Sequence, residues 1–238
     1  MSCPICRSPN HSFIVSKNEY DIHRCPACTV MFVHPFPSPQ ELTDFYNNYH
    51  KSRQYKDKIK SKIKRAKKRI ASLGKRGDLE FLDVGCNLGF ATEAGRSLGY
   101  RATGIDVDTD AIARAKELFP DAEFRCVGSD TLTAEGRVFD IVYCSEVIEH
   151  LTNPLQFLRD IRSVMSESSV LLLTTPDNGH YSLPKDIHKL AGWTSFRPPE
   201  HLIYFNRKSL KDIFAAAGFS RFRQCFSFKP SAKVIAAP

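Results

Sequence analysis

The sequence has no apolar run approaching the roughly 18 residues of a membrane span, so no membrane-spanning helix is predicted. The N-terminal segment MSCPICRSPN also lacks the apolar stretch of a secretory signal. We therefore expect a cytoplasmic protein whose eight cysteines do not form disulfides. No internal repeat is evident, and the 238 residues, 42% of them hydrophobic, suffice for one good-sized domain with a small appendage.

Acidic residues are nearly absent from residues 51–76, which hold 13 Lys or Arg against one Asp. This segment carries +12 whereas the whole chain carries +8, so the remainder is mildly acidic. The apolar residues of the segment recur at helical spacing and predict a basic helix with one apolar stripe, formed by Ile59, Ile63, Ala66, Ile70 and Leu73. The favoured interpretation is a helix packed on a sheet with its lysines in solvent. The alternative is binding of RNA, an acidic membrane surface or an anionic substrate.

Four of the eight cysteines form two C-x2-C pairs near the N-terminus, namely Cys3, Cys6, Cys25 and Cys28. Two such pairs can direct four thiolates at one ion, and the spacing falls within the range of structural zinc sites. Four protein ligands leave no open position, so the expected zinc is structural. The Pro-rich segment PFPSPQ follows and predicts a boundary after residue 34. We expect the resulting ribbon to cover the active site or a partner surface.

Strands and helices alternate through the middle of the chain. Apolar runs predict five strands, at 81–84, 102–105, 123–126, 139–144 and 169–174, with helices between several of them. Asn153 and Asn206 each suit the N-cap of a helix, and two further segments, 222–228 and 233–236, suit a closing hairpin. The predicted fold class is α/β: a Rossmann-like, mostly parallel sheet with helices on both faces, plus the small ribbon.

The sequence FLDVGCNLGF predicts a buried strand, a glycine-containing turn and a helix, with Asp83 near the end of the strand. The second predicted strand ends at Asp106, 21 residues after Gly85, where a carboxylate can accept hydrogen bonds from ribose hydroxyls. Asn87 and Phe90 stand where a dinucleotide-binding turn would have its second and third glycines, which excludes that fingerprint. The alternative role for both carboxylates is capping of helix N-termini.

The segments FLDVGCNLGF, TGIDVD and FDIVYCSEVIEHLTNP resemble the motifs of class I S-adenosylmethionine-dependent methyltransferases, most closely the group that includes the ubiquinone-biosynthesis O-methyltransferases. The resemblance covers about residues 78–220, and it is more specific for the cofactor than for the substrate. It implies S-adenosyl-L-methionine as cofactor, with its methionine end near Asp83, Gly85 and Gly89. It places the ribose at Asp106 and the adenine at Val107 and Asp130, and the remaining implied cofactor contacts are Cys86 and Ser145.

The segment SEVIEHL after the fourth predicted strand brings Glu146, Glu149 and His150 close together in the sequence, and His201 precedes the last helix. Histidine is the natural base near neutral pH for an acceptor that must lose a proton. We therefore expect catalytic roles for His150, His201 and Glu149. The resemblance also implies a divalent metal at this Glu-His cluster, whereas Glu149 and His150 could instead only brace the loop. The aromatic residues of 176–204 (Tyr181, Trp193, Phe196, Tyr204) would line the acceptor pocket or pack in the core.

Together these patterns predict a zinc ribbon at 1–34, a basic helical connector at 35–77 and a methyltransferase domain at 78–238. The expected acceptor is a small molecule methylated at oxygen or carbon, and an anionic acceptor is the narrower expectation. An RNA methyltransferase that uses the ribbon and the basic helix is one alternative, although nucleic acid is not the favoured partner. A non-catalytic binding protein that retains the fold is the other.

Overall fold

Two β-sheets organise the chain in a computed structural model that describes residues 2–52 and 59–238, with the backbone alone for 46–52. Part of the predicted basic segment, 53–58, lies outside the described residues. In chain order the strands are β1 (Ser12–Lys17), β2 (Tyr20–Arg24), β3 (Met31–Val33), β4 (Glu80–Val84), β5 (Arg101–Asp106), β6 (Glu123–Cys126), β7 (Phe139–Ser145), β8 (Met165–Pro176), β9 (Ile203–Tyr204), β10 (Arg221–Cys225) and β11 (Ser231–Ala237).

Eight α-helices are assigned within the described ranges: α1 (Pro39–Ser52), α2 (Ile59–Ala71), α3 (Phe90–Arg96), α4 (Thr109–Leu118), α5 (Ser129–Glu135), α6 (Pro154–Ser163), α7 (Ile187–Leu190) and α8 (Arg207–Ala216). A 3-10 turn, Ile148–His150, follows β7. Among these elements no helix is both long and apolar enough to cross a membrane. The sequence pattern does not predict the short helices α5 and α7.

The larger sheet has seven strands in the order β10-β11-β8-β7-β4-β5-β6. The five strands β4 to β8 are mutually parallel, and β11 and β10 complete the sheet in antiparallel orientation. The predicted α/β fold with a mostly parallel sheet is confirmed. The strand order reverses between β4 and β7, and such a reversal opens a crevice at the carboxyl ends of the strands.

The smaller sheet has the order β1-β2-β3-β9, and only its first three strands come from the N-terminal segment. The fourth strand, β9, pairs with β3 so that Met31 lies opposite Tyr204 and Phe32 opposite Ile203. The buried side chains of both parts belong to one apolar cluster. The N-terminal segment is therefore joined to the rest of the chain by both main-chain pairing and a shared core.

Helix α2 packs on one face of the larger sheet through the apolar stripe that its spacing predicts. Ala66 and Ile70 are buried in a cluster with Phe81, Tyr143 and other residues of the sheet. Where the sequence pattern suggests helix from residue 40 to 73, the structure has α1 and α2 on either side of 53–58. The apolar stripe thus packs α2 against the central strands β4, β7 and β8.

The two asparagines predicted as N-caps occupy those positions. Asn153 accepts a hydrogen bond from the backbone of Gln156, and Asn206 forms a reciprocal capping box with Ser209. Each cap satisfies backbone N–H groups that have no partner within the helix, which fixes where the helix begins.

We predict that Gly95→Ala destabilises the protein, although alanine normally favours a helix over glycine by up to about 1 kcal/mol. Gly95 lies in α3, and a Cβ atom there would come within 2.7 Å of the Phe81 ring in β4. Overpacking of this kind costs about 1–3 kcal/mol, so the free energy of unfolding in denaturant should fall.

The double variant Phe81→Leu/Gly95→Ala provides the control for this prediction, because the smaller side chain relieves the contact. Its destabilisation should be smaller than the sum of the two single effects, as expected for residues in contact. A Gly95→Ala variant that is more stable than the wild type would contradict the prediction.

Candidate active site

A cavity of about 1590 Å³ opens at the carboxyl ends of β4, β5 and β7. Its wall includes the turn after β4, the start of α4, one side of α2 and the tip of β7. Seven of the eight residues predicted to bind cofactor line it: Asp83, Gly85, Cys86, Asp106, Val107, Asp130 and Ser145. The eighth, Gly89, is the N-cap of α3 and lies behind the turn.

The turn between β4 and α3 needs its glycines for both conformation and space. Gly85 and Gly89 have φ of 70° and 77°, and a Cβ atom would collide with Val147 at the first and with Phe124 at the second. Asn87 also has a left-handed backbone, with φ of 47°, which asparagine tolerates better than most residues. The turn is therefore held in one conformation, with its backbone exposed to the cavity.

Asp106 is fixed by main-chain donors on both sides. Its Oδ2 accepts from the N–H of Asn87 at 2.8 Å, and its Oδ1 accepts from the N–H of Asp108 at 3.0 Å. These bonds leave further lone pairs on each carboxylate oxygen. Val107 follows with 76% of its side chain exposed, an apolar surface beside the carboxylate. A capping role and a ligand-binding role are thus compatible for Asp106.

Asp83 lies at the base of the cavity, with 2% of its surface exposed, and accepts a hydrogen bond from Thr92 Oγ1 at 2.8 Å. Burial raises the pKa of this carboxyl to about 7, an effect that the Thr92 bond only partly opposes. Because a nearby cation favours the ionised form of a carboxyl, a positively charged ligand would lower this pKa again. Thr92 was not anticipated from the sequence.

The turn Glu146–His150 after β7 and the nearby His201, together called the catalytic edge, contain one buried carboxyl, Glu149, and one exposed carboxyl, Glu146. Glu149 is 1% exposed, and its Oε2 accepts from Thr175 Oγ1 at 2.9 Å. Its Oε1 has no hydrogen-bond partner among the described residues. Burial and the neighbouring Glu146 raise the pKa of Glu149 well above its usual value. Glu146 is exposed where it lines the cavity and accepts from Thr174 at 3.0 Å, and partial desolvation raises its pKa.

The two predicted histidines meet beside Glu149. The rings of His150 and His201 are perpendicular, with centroids 4.8 Å apart. Each Nδ1 lies within hydrogen-bond distance of a main-chain carbonyl, 2.7 Å from Glu200 O for His150 and 2.8 Å from Ser195 O for His201. Because a carbonyl oxygen only accepts, each Nδ1 must carry the proton, which makes Nε2 the lone-pair nitrogen of a neutral ring.

One ligand atom each from Glu149, His150 and His201 lies within 4.8 Å of the others. His150 Nε2 is 3.9 Å from Glu149 Oε1. Burial, reinforced by the charges of His150 and Arg197, lowers the pKa of His201 to about 3, so this ring is neutral at ordinary pH. Arg197 donates to its Nε2 at 3.3–3.4 Å. The structure therefore brings Glu149, His150 and His201 together in one group. Glu146, the fourth predicted residue, lies outside this group and lines the cavity.

Leu202 links this edge of the site to the N-terminal sheet. Its N–H donates to Glu149 O at 2.8 Å, and its carbonyl accepts from the N–H of Val33 at 2.9 Å. Leu202 directly follows His201 in the chain, so the segment that carries this histidine is held between β3 and the turn that carries Glu149. No sequence pattern indicates this link, because its partners are far apart in the chain.

The four N-terminal cysteines converge as their spacing predicts. Cys3 Sγ lies 3.5 Å from Cys28 Sγ, and Cys6 Sγ lies 3.5 Å from Cys25 Sγ. All four sulfurs lie within 4.8 Å of one another. The sulfurs of a tetrahedral zinc site, with Zn–S near 2.3 Å, would be about 3.8 Å apart. The cluster therefore has nearly the dimensions of a four-thiolate site.

The two C-x2-C turns have the same backbone conformation. In each, the residue after the second cysteine has a left-handed backbone, with φ of 61° at Arg7 and 62° at Thr29. In each, the N–H of that residue donates to the carbonyl of the first cysteine of the pair. This repetition directs both cysteine pairs toward one point between the turns.

The aromatic residues of 176–204 do not line the cavity at the carboxyl ends of β4, β5 and β7, where an acceptor would bind. Among the described residues that line the cavity, Tyr181, Trp193, Phe196 and Tyr204 are all missing. Phe196 and Tyr204 are fully buried and stack with ring centroids 4.3 Å apart. These two rings therefore pack in the core. The cavity is lined instead by residues that include Arg65 and Arg69 of α2, and their i, i+4 spacing in the sequence indicates that they share one face of the helix.

Comparison with known proteins places this geometry in a family. A family model described as a methyltransferase domain matches residues 50–221, well over half of the chain. The mitochondrial ubiquinone biosynthesis O-methyltransferase of Arabidopsis thaliana is 28% identical over 162 residues, covering 59% of this chain and 49% of the relative. The ubiquinone biosynthesis O-methyltransferase of Parvibaculum lavamentivorans is 32% identical over 102 residues, covering 41% of this chain and 40% of the relative. That of Roseobacter denitrificans is 27% identical over 159 residues, covering 59% and 63%. The chain thus spans about half the length of the curated relatives it matches.

Solved structures with the same fold are more distant in sequence. An S-adenosylmethionine-dependent methyltransferase from Archaeoglobus fulgidus has a TM-score of 0.57 at 17% identity, covering 74% of this chain and 94% of that one. The [4+2]-cyclase SpnF has a TM-score of 0.55 at 21% identity, covering 68% and 60%. These likenesses confirm the fold, and they show that it also carries a different chemistry. On the extent of the family match, the chain belongs to the methyltransferase-domain family.

Proposed function

We propose that the protein transfers the methyl group of S-adenosyl-L-methionine to a small-molecule acceptor, at oxygen or carbon. The observation that carries this proposal is the single cavity lined by Asp83 and Asp106, at the tips of adjacent strands, together with His150. The relatives named as O-methyltransferases support a hydroxyl acceptor. Bound cofactor would supply an electrophilic methyl group, and the protein must align the acceptor with it and exclude water.

The residues around the turn fit the cofactor. The exposed backbone of the turn and Asp83 would hold the methionine end, where a positive charge suits a carboxyl whose pKa is raised by burial. Asp106 would accept hydrogen bonds from the ribose hydroxyls, and Val107 with Asp130 would bind the adenine. Cys86 and Ser145 complete the proposed contacts.

We assign proton removal from the acceptor to the catalytic edge. His150 lines the cavity, and the hydrogen bond at its Nδ1 leaves Nε2 as a basic nitrogen. Glu149 and His201 lie behind it, so they would orient His150 or share the proton. A hydroxyl acceptor gives up this proton as the methyl group is transferred, and a base within hydrogen-bond reach lowers the barrier.

We also propose a divalent metal at Glu149, His150 and His201, with Glu146 close by. The donor set fits: Glu149 Oε1 is buried without a partner among the described residues, and both imidazoles are oriented by carbonyls, as metal-binding histidines usually are. A metal would replace the contact between Arg197 and His201. Such an ion would acidify an acceptor hydroxyl. Because it would occupy Nε2 of His150, it would replace the role of His150 as the base in the metal-bound protein.

We propose that the chain is divided into a ribbon (1–34), a connector (35–77) and a methyltransferase domain (78–238). Within the ribbon, we propose a structural zinc ion at Cys3, Cys6, Cys25 and Cys28. The duplicated turns and the sulfur distances support the zinc. We propose the cytoplasm as the compartment, since thiolates that bind zinc suit a reducing environment.

Two other functions have weaker support. An RNA methyltransferase would use the basic helix, and its RNA binding should weaken steeply with salt. A binding protein or an enzyme of different chemistry is compatible with the fold, as the cyclase neighbour shows. The methyltransferase proposal is preferred because the turn, Asp106 and the Glu-His cluster line or adjoin the same cavity.

Asp106→Ala should weaken binding of S-adenosylhomocysteine by at least ~2 kcal/mol, because the ribose hydroxyls lose their acceptor. This corresponds to roughly 30-fold in the dissociation constant. Isothermal titration calorimetry measures the change directly, on wild type and variant side by side.

Asp121→Ala is the matched control, since it removes one negative charge from an exposed position that does not line the cavity. Its affinity for S-adenosylhomocysteine should equal that of the wild type. Thermal unfolding of both variants shows whether Asp106→Ala has disturbed the turn. An unchanged affinity in a folded Asp106→Ala protein rules out the ribose assignment.

Mn²⁺ should bind zinc-loaded protein at about one ion per chain, because this hard ion prefers carboxylate and imidazole to thiolate ligands. Titration followed by the electron paramagnetic resonance of free Mn²⁺ measures the binding. His150→Ala should weaken it about tenfold or more, whereas His188→Ala, at an exposed position outside the cluster, should leave it unchanged. Equal Mn²⁺ binding by the His150→Ala variant and the wild type would disprove the site.

Elemental analysis of the purified protein should give about one zinc per chain. The double variant Cys3→Ser/Cys6→Ser should lose this zinc, because two thiolates are insufficient for the site. Cys126→Ser/Cys225→Ser, which removes two cysteines outside the cluster, should retain it. Zinc retained by the first variant, or absent from the wild type, is the result that argues against the ribbon site.

A further inference from the structure

Helix α2 contributes a basic wall to the active-site cavity. Lys62, Arg65 and Arg69 line the cavity, and they come from successive turns of one face of the helix. The sequence of α2, IKSKIKRAKKRIA, contains no acidic residue. Like charges at i and i+4 destabilise a helix by a few tenths of a kcal/mol, on the order of 0.2–0.5. The helix thus brings positive charge to the cavity without any internal compensation.

The two arginines have no carboxylate partner of their own. Among the described residues, neither Arg65 nor Arg69 is within salt-bridge distance of an acidic side chain. Arg69 Nη1 lies 3.4 Å from both Tyr143 Oη and Ser145 Oγ, two neutral groups at the tip of β7. Lys62 differs from them, because its amine lies 5.1 Å from the centre of the Phe90 ring.

The charged residues of the cavity are unevenly distributed: α2 contributes only basic residues, whereas the strand tips contribute mostly acidic ones, with Arg114 of α4 also in the lining. The proposed cofactor region, at the tips of β4 and β5, contributes Asp83, Asp106 and Asp108. The arginines stand on the α2 wall, next to Ser145 and near Glu146, where an acceptor would approach the catalytic edge. The charges of Arg69 and Arg65 act on Glu146 and oppose the rise in its pKa, yet Glu146 accepts its hydrogen bond from Thr174 and is not within salt-bridge distance of either arginine.

We propose that Arg65 and Arg69 bind an acidic group, a phosphate or a carboxylate, of the methyl acceptor. This inference rests on the proposed function, and it makes the acceptor an anionic hydroxyl compound. Guanidinium groups suit the role because they present paired N–H donors that match both kinds of oxyanion. The cofactor's own carboxylate is the competing ligand, since its two oxygens could accept from both guanidinium groups, and the experiment below distinguishes the two.

The test uses the S-adenosylhomocysteine complex, in which any site for the cofactor carboxylate is already filled. Inorganic pyrophosphate and succinate are titrated separately into this complex at low salt, by calorimetry. One of them should bind the wild type and identify the class of acidic group. Arg65→Met/Arg69→Met should weaken that binding by about tenfold or more.

Lys64→Met/Lys68→Met is the matched control, since it removes two charges from exposed positions of the same helix that do not line the cavity. This control should change anion binding by less than about twofold. Equal losses in both double variants, or no binding of either anion to the wild type, would overturn the proposal. A loss of S-adenosylhomocysteine binding in Arg65→Met/Arg69→Met, with anion binding intact, would assign the arginines to the cofactor instead.

The same titrations separate this proposal from the function on which it rests. If S-adenosylhomocysteine does not bind the wild type, the methyltransferase proposal fails, and the anions are then titrated into the free protein. Arginine-dependent anion binding in that experiment would retain the anion site without the methyl transfer. Anion binding that is absent while S-adenosylhomocysteine binds would remove only the anion site.

Discussion

The parallel pairing of β4 with β5 on one side and β7 on the other is the constraint on which the site depends. In this register Asp83 lies opposite Gly104 of β5 and Tyr143 of β7. All three strands therefore end at the same edge, and the residues that follow them must share one crevice. The glycine turn, Asp106 and the Glu146–His150 segment come from distant parts of the sequence. This register brings all of them to the carboxyl ends of the three strands.

A second constraint comes from the N-terminal sheet, which takes part in building the catalytic edge. The main chain of Leu202 bonds to Glu149 on one side and to Val33 on the other, immediately after His201. A two-residue strand such as β9 has too few hydrogen bonds to be stable alone. Its pairing with β3 supplies them, so the fold of the cysteine-containing segment and the position of His201 are physically coupled.

The features of the fold that the sequence predicts correctly are those whose pattern lies within one short segment of the chain. The β4–turn–α3 unit, the two asparagine caps and the cysteine pairs each depend on residues within one short segment, and all lie where expected. The pairing of β3 with β9 joins residues about 170 positions apart and has no local pattern. Phe196 and Tyr204 show the same limit, because only the assembled core determines whether an aromatic side chain packs inside or lines a cavity.

The cavity differs in charge between the wall formed by α2, which contributes Lys62, Arg65 and Arg69, and the tips of β4 and β5, which contribute mainly aspartates. The sulfonium of the proposed methyl donor is cationic, so it is attracted to the acidic tips of β4 and β5. The proposed acceptor is anionic, so it is attracted to the basic wall formed by α2. Charge interactions are stronger in a partly buried cavity than in water. Between the walls, burial raises the pKa of Glu149 and lowers the pKa of His201, so it disfavours charge on both groups. Burial therefore reduces the charge that Glu149 and His201 contribute, and the charged residues of α2 and of the strand tips have the larger influence on where each ligand binds.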